Sequence, residues 1–117
     1  MEFDCQKKEK YCLYKVDGDI DLYSAHELKE DFERNVLQGI YEYVINLSRV
    51  PYMDSSGLGA LVYLVTHVKK YSGIVYLTDL TPSVNKLLEL SRLNNFFKIT
   101  KSENDALSDL QTRGKDS

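Results

Sequence analysis

Cysteine, histidine, proline and tryptophan are scarce in this chain of 117 residues, which contains two of each of the first three and no tryptophan. Cys5 and Cys12 have no nearby histidine, so their spacing does not suit a metal site, and we expect both thiols to stay reduced. His26 and His67 stand alone on predicted helices, where surface or packing roles are expected. The scarcity of these residues therefore predicts a protein without a metal ion or other cofactor.

An excess of positive charge and a long apolar run are also missing. The net charge of −3 argues against direct binding of nucleic acid. No apolar run reaches the roughly 18 residues of a membrane-spanning helix, and the first residues lack the apolar core of a signal peptide. We therefore expect a cytoplasmic protein that does not enter a membrane. The length fits one domain, predicted at residues 1–110, followed by a flexible polar tail at 111–117.

Strand and helix signals alternate along the chain in the order β-β-α-β-α-β-α-β-α. The predicted strands are 3–6, 11–16, 43–47, 74–77 and 97–100, with the first two antiparallel. Because strands that are separated by helices usually run parallel, the expected fold class is α/β. The pattern predicts a single domain in which about four helices pack against a mixed sheet with a parallel core.

Capping residues predict where the helices begin and end. Ser24 and Glu27 have the spacing of a capping box, which predicts Ser24 as the N-cap of the first helix. Gly39 is expected to end that helix in a left-handed conformation. Thr81 with the following proline predicts the start of the third helix, and Ser102 predicts the start of the fourth.

The stretch M-D-S-S-G-L-G-A-L-V at residues 53–62 is the most unusual part of the sequence. Asp54, Ser55 and Ser56 are all good N-cap residues, so this turn is expected to begin the second helix. Gly57 and Gly59 fall in its first turn, where each costs about 1 kcal/mol relative to alanine. Glycines at this point let another backbone approach closely.

The position of this stretch also favours a functional role. It follows a predicted buried strand, at the sheet edge where open α/β proteins usually expose their functional loops. A second acidic turn, residues 18–21, precedes the first predicted helix and could lie close by. The two turns together are therefore a candidate functional site.

Self-contained catalysis is disfavoured at this site. The stretch lacks the first glycine of the G-x-S-x-G nucleophile elbow, and neither His26 nor His67 is well placed as a base. It also lacks the lysine of a phosphate-binding loop. No catalytic residue is expected, and the protein is not predicted to be an enzyme.

A phosphorylation target fits the residues, because N–H groups at a helix start tolerate a phosphate whereas a docked partner would meet a new dianion. A plain helix start and an anion-binding turn remain open from the residues alone.

Residues 52–59, preceded by the acidic turn and helix start at 18–25, resemble bacterial anti-sigma-factor antagonists of the STAS domain class. The resemblance extends from about Tyr11 to Leu110 and includes the segment Leu80–Val84. It implies a small cytoplasmic regulator whose unphosphorylated form binds an anti-sigma factor that is also a serine kinase, which frees a sigma factor. Phosphorylation releases the regulator, and a PP2C-type phosphatase restores it.

The resemblance also assigns roles to residues. Ser55 matches the phosphate acceptor, and its neighbour Ser56 is the alternative acceptor. The implied partner-binding residues are Asp21, Tyr23, Ser24, Asp54, Ser56, Gly57, Leu58 and Gly59. Two other hypotheses are a module that binds a nucleotide or other small anion at the same helix start, and a scaffold module that is never phosphorylated. Since no symmetric apolar patch is visible in the sequence, a monomer is expected.

Overall fold

The computed structural model describes residues 1–115, in which five strands and four helices alternate. The strands are β1 (Glu2–Lys7), β2 (Tyr11–Asp17), β3 (Glu42–Arg49), β4 (Ile74–Thr78) and β5 (Lys98–Thr100). The helices are α1 (Leu22–Leu37), α2 (Ser55–Lys69), α3 (Pro82–Leu90) and α4 (Glu103–Lys115). This order confirms the predicted alternation of strands and helices.

The strands form one mixed sheet in the order β1-β2-β3-β4-β5. Only the first pair is antiparallel, with Phe3 opposite Val16, because a short turn joins β1 to β2. The strands from β2 to β5 are parallel, because a helix connects each of them to the next. The carboxyl ends of β2 and β3 therefore lie at the same edge of the sheet, and α1 and α2 begin just beyond it.

Alternating side chains on the strands bury both faces of the sheet centre. Tyr14, Ile45 and Leu77 point into the larger core cluster, which also contains apolar residues of α1, α2 and α3. Their neighbours Val44 and Tyr76 point the opposite way, into a smaller cluster completed by α4. The predicted α/β domain with helices packed on a partly parallel sheet is confirmed.

The predicted cap of the first helix is wrong by one turn. Asp21, not Ser24, is the N-cap of α1: its side chain accepts from the Ser24 amide, and the Ser24 hydroxyl accepts from the Asp21 amide. Aspartate is as good a cap as serine, and the reciprocal bonds favour the earlier start. The predicted helix end is confirmed, because Gly39 follows the last turn with φ +89°.

Two further helix boundaries refine the prediction. Thr81 is the N-cap of α3, but its hydroxyl donates to the Val50 carbonyl at 2.8 Å instead of capping the helix. The fourth helix was expected to give way to a tail after Leu110, but α4 continues to Lys115. Residues 116 and 117 of that predicted tail lie outside the described residues. Among residues 1–115, no helix is long and apolar enough to cross a membrane.

Candidate functional site

The loops before α1 and α2 are hydrogen-bonded to each other. Ile20 and Met53 form an isolated parallel β-bridge. The Ile20 amide donates to the Tyr52 carbonyl at 3.0 Å, and the Asp54 amide donates to the Ile20 carbonyl at 3.2 Å. Since Asp21 and Asp54 are the residues directly after this bridge, the structure brings the two acidic turns together, as the sequence suggested they could be.

Asp54 is the N-cap of α2. One of its carboxylate oxygens accepts from the Ser56 amide at 2.8 Å and from the Gly57 amide at 3.2 Å. Ser55 is the first residue of the helix and is exposed, whereas Ser56 is half-buried. The Ser55 hydroxyl therefore lies at the surface, at the positive end of the helix dipole and next to a carboxylate that the backbone holds in place.

Asp21 and Ser24 form the equivalent start of α1. The Ser24 amide donates to Asp21 Oδ1 at 3.0 Å, and the Asp21 amide donates to Ser24 Oγ at 2.8 Å. The backbone hydrogen bond from Ser24 holds the pKa of the Asp21 carboxyl below its ordinary value. Ser24 is buried in this capping box, where its hydroxyl stabilises the start of α1. The exposed group of the pair is the Asp21 carboxylate.

The joined loops carry a net negative charge. Asp19 and Asp21 flank Ile20 on one side of the Ile20–Met53 bridge, and Asp54 follows Met53 on the other. Two positive charges lie nearby: the Arg49 guanidinium, 3.6 Å from the Asp17 carboxylate, and the amino group of Met1, which lies beside Gly18. This surface is therefore better suited to a basic or neutral partner than to tight binding of an anion.

Gly57 and Leu58, which the sequence predicted to contribute to a partner surface, are both buried in the isolated chain. A Cβ at Gly57 would lie 2.4 Å from Met53 Cγ and 2.8 Å from Ile20 Cγ2. Leu58 belongs to the main core cluster. Gly57 is required because α2 packs directly beneath the bridged loops, and the Leu58 side chain packs in the core.

Gly59 is in a different environment from Gly57. It is exposed, and no atom lies within 4 Å of the position that its Cβ would occupy. Neither its backbone conformation nor the packing of the domain accounts for a glycine there, although a glycine in a helix costs about 1 kcal/mol relative to alanine.

Exposed apolar side chains surround the two helix starts. Tyr23 is 82% exposed, Leu22 is 66% exposed, and Tyr52 is 53% exposed. Sequence reasoning selected Tyr23 only. The signal for Leu22 was its position before the periodic apolar face of α1, and the signal for Tyr52 was its place in the loop directly before the acidic residue.

The two histidines lie on the outer parts of α1 and α2. The imidazole of His26 is 2.9 Å from Glu30, one turn along the same helix. The His67 ring stacks on Tyr63, and its Nδ1 lies 2.8 Å from the Tyr63 carbonyl oxygen. Both rings therefore contact residues of their own helix. Within residues 1–115, no three His, Cys, Asp or Glu side chains cluster as ligands for a metal ion.

Comparison with known proteins gives a consistent result. The family model described as the STAS domain matches residues 2–106. An anti-sigma-B factor antagonist from Staphylococcus aureus (strain NCTC 8325 / PS 47) is 25% identical over 101 residues, which cover 86% of this chain and 94% of the relative.

Solved structures show the same fold. An anti-sigma factor antagonist from Mycobacterium paratuberculosis matches with a TM-score of 0.84 and 23% identity, covering 94% of this chain and 93% of that one. The phosphorylated form of the Bacillus cell fate determinant SpoIIAA matches with a TM-score of 0.76 and 19% identity, covering 93% and 99% of the two chains.

Proposed function

The chain belongs to the STAS domain family, and on that premise we propose that it is an anti-sigma factor antagonist controlled by phosphorylation of Ser55. In this proposal the unphosphorylated form binds an anti-sigma factor that is also a serine kinase, and the sigma factor is freed. The kinase transfers the phosphoryl group of ATP to Ser55, and a PP2C-type phosphatase removes it. The chain acts as a cytoplasmic monomer and is a substrate of these enzymes, without catalytic activity of its own.

One observation carries this proposal. Ser55 is exposed at the first position of α2, while the amides of Ser56 and Gly57 hold the neighbouring Asp54 carboxylate. Ser56 is half-buried beside it, so an enzyme approaching from solvent meets the Ser55 hydroxyl first. The greater exposure of Ser55 supports it as the acceptor in preference to Ser56.

The same geometry explains how one phosphate switches binding without unfolding the domain. The helix start places the positive end of the helix dipole near the phosphate, which favours its charge of about −1.5 to −2, while the Ser56 and Gly57 amides stay bonded to Asp54. A partner docked over this turn would instead bury the phosphate beside the Asp54 carboxylate. An uncompensated buried charge costs about 3–5 kcal/mol, which corresponds to a loss of about 10²- to 10³-fold or more in affinity.

The partner surface in this proposal consists of the exposed groups only: Asp21, Leu22, Tyr23, Tyr52, Ser55 and Gly59. The Leu22, Tyr23 and Tyr52 side chains supply apolar contact area, and tyrosine is one of the residues enriched at interface hot spots. The exposed carboxylate of Asp21, with the half-buried carboxylate of Asp54 at the edge of this surface, favours basic groups on the partner.

The proposal is tested with the purified chain and the candidate serine kinase from the same genome. After incubation with ATP, peptide mapping is expected to find the added phosphate on Ser55. Ser55→Ala is expected to bind the kinase as the wild type does, whereas Ser55→Asp binds at least about a hundredfold more weakly. Ser56→Ala is the matched control and is expected to remain a substrate.

Two outcomes would count against the proposal. Phosphate on Ser56 alone would show that Ser56, and not Ser55, is the phosphate acceptor. If neither serine is phosphorylated and the isolated chain binds a nucleotide, the chain is a small-ligand-binding module and not a phosphorylation-controlled regulator.

A further inference from the structure

Two cysteines share one face of the β1–β2 hairpin, away from the candidate functional site. Cys5 of the edge strand β1 is half-exposed, and Cys12 of β2 is fully buried. In the antiparallel register Cys5 lies opposite Tyr14, and Lys7 lies opposite Cys12. The cysteines are therefore diagonal neighbours on the same face of the hairpin.

Polar groups of α1 and β2 converge on the Cys5 sulfur. The Asn35 amide nitrogen lies 3.5 Å from Cys5 Sγ and 2.6 Å from the Tyr14 hydroxyl oxygen. The Tyr14 hydroxyl in turn donates to the Asp31 carboxylate at 2.5 Å. Since Asn35 is buried and its amide nitrogen can only donate, it offers a hydrogen bond that a thiolate accepts better than a thiol does.

The pKa values of the two thiols are shifted in opposite directions by these surroundings. The neighbouring Cys12 thiol, with a smaller contribution from the Asn35 amide, lowers the pKa of Cys5 to about 7, although burial and the Asp31 charge oppose the shift. The hydrogen bond to Cys5 and burial raise the pKa of Cys12. The other titratable groups in this environment are Lys7 on β1 and Tyr43 on β3. The arrangement thus favours a thiolate on Cys5 and a protonated thiol on Cys12.

We propose that Cys5 is a modification site for hydroperoxides and that Cys12 is its resolving thiol, so that oxidation produces an intramolecular Cys5–Cys12 disulfide. The Cys5 thiolate attacks the peroxide: the O–O bond breaks, an S–O bond forms, the sulfur loses two electrons, and the leaving oxygen departs as hydroxide or alkoxide. Cys12 then attacks the sulfenic sulfur: the S–S bond forms, the S–O bond breaks, and the oxygen leaves as water with the Cys12 proton.

The two cysteines differ from ordinary core thiols in the respects that this chemistry needs. A buried free cysteine is usually an inert small apolar residue, which describes Cys12 by itself. Cys5 is only partly buried on an edge strand, has the Asn35 amide as a hydrogen-bond donor to its sulfur, and has a second thiol diagonally across the hairpin. This proposal does not depend on Ser55 or on the proposed function, because it concerns the opposite end of α1.

Alkylation kinetics with iodoacetamide test the thiolate. At pH 7 a pKa near 7 in place of 9.0 gives about fifty times more thiolate, and the lower nucleophilicity of that thiolate reduces the gain to about five- to tenfold in rate. Cys5 is therefore expected to be alkylated with a half-point near pH 7, while Cys12 reacts only after denaturation. In Asn35→Ala and Cys12→Ala, the half-point should rise; circular dichroism verifies that both variants are folded.

Mass spectrometry after treatment with hydrogen peroxide tests the disulfide. The wild-type chain is expected to lose about 2 Da, with both cysteines in one cross-linked peptide pair, and to regain them with dithiothreitol. In Cys12→Ala the Cys5 sulfenic acid should persist and be trapped by dimedone, and Cys5→Ser should show neither product. A half-point near pH 9 without a sulfenic adduct would overturn the proposal. So would a disulfide formed only between two copies of the chain.

Discussion

The amide of Asp54 donates to the carbonyl of Ile20 at 3.2 Å, which joins the N-cap of α2 to the residue before the N-cap of α1. This bond, with the Ile20–Met53 bridge beside it, holds two helix starts next to each other at one edge of the sheet. Loops at such an edge are usually free to diverge in position. Here the bridge fixes the two helix starts relative to each other.

Removing the α2 cap should destabilise the domain. Asp54→Ala leaves the Ser56 and Gly57 amides without their acceptor, and we expect the free energy of unfolding to fall by about 1 kcal/mol. Asp54→Asn is the matched control, since asparagine caps a helix equally well without charge. Urea denaturation of the three proteins measures the difference. Equal losses in both variants would show that the charge, not the cap, matters for stability.

The two glycines of α2 should respond oppositely to alanine. Gly57→Ala places a Cβ within 2.8 Å of atoms of Ile20 and Met53, and overpacking of this kind costs about 1–3 kcal/mol. Gly59→Ala meets no atom within 4 Å, and we expect it to stabilise the helix by up to about 1 kcal/mol.

Affinity for the kinase should respond to Gly59→Ala in the opposite direction to stability. Gly59→Ala is expected to weaken binding to the kinase although the domain becomes more stable, because the new methyl group lies on the exposed face. Thermal denaturation and a binding isotherm on the same samples provide the comparison. Unchanged affinity in Gly59→Ala would remove this residue from the proposed interface.

The exposed aromatic residue at the start of α1 should matter for binding but not for folding. Tyr23→Ala removes a side chain that is 82% exposed, so the free energy of unfolding should change by less than about 0.5 kcal/mol. A hot-spot role would weaken partner binding by about 2 kcal/mol, or roughly thirtyfold. Leu37→Ala, at the other end of α1 and 80% exposed, is the control and should change neither quantity. Equal binding by both variants would place the interface elsewhere.

Acid should weaken the domain partly through Asp21. Its folded-state pKa lies below the ordinary 3.8 because it accepts hydrogen bonds from Ser24. A lowered pKa contributes stability that is present above the ordinary value and is lost as pH falls through the folded-state value. Asp21→Asn keeps the cap without the titration, so its stability should decline less than that of the wild type between about pH 5 and about pH 3. Urea denaturation at each pH measures the stability of both proteins. An equal decline in both as pH falls would contradict this prediction.

The sequence was sufficient for the order and type of the elements, because apolar periodicity and turn residues are local properties of the chain. It also identified Asp54 as a capping candidate and the 53–62 stretch as unusual, since two glycines in a first helical turn are costly anywhere. It was misleading where two good caps competed: the periodic face and Glu27 favoured Ser24, but Asp21 and Ser24 bond reciprocally and begin α1 one turn earlier.

Which residues of the candidate site face outward was decided only by the tertiary structure. Gly57 and Gly59 are chemically identical and two positions apart, yet one packs against Ile20 and Met53 while the other faces open space. The same holds for the cysteines, whose shared environment depends on the register of β1 against β2 and on Asn35 of α1. Contacts between segments distant in sequence arise from packing, and a local pattern of residue types carries no information about which surfaces meet.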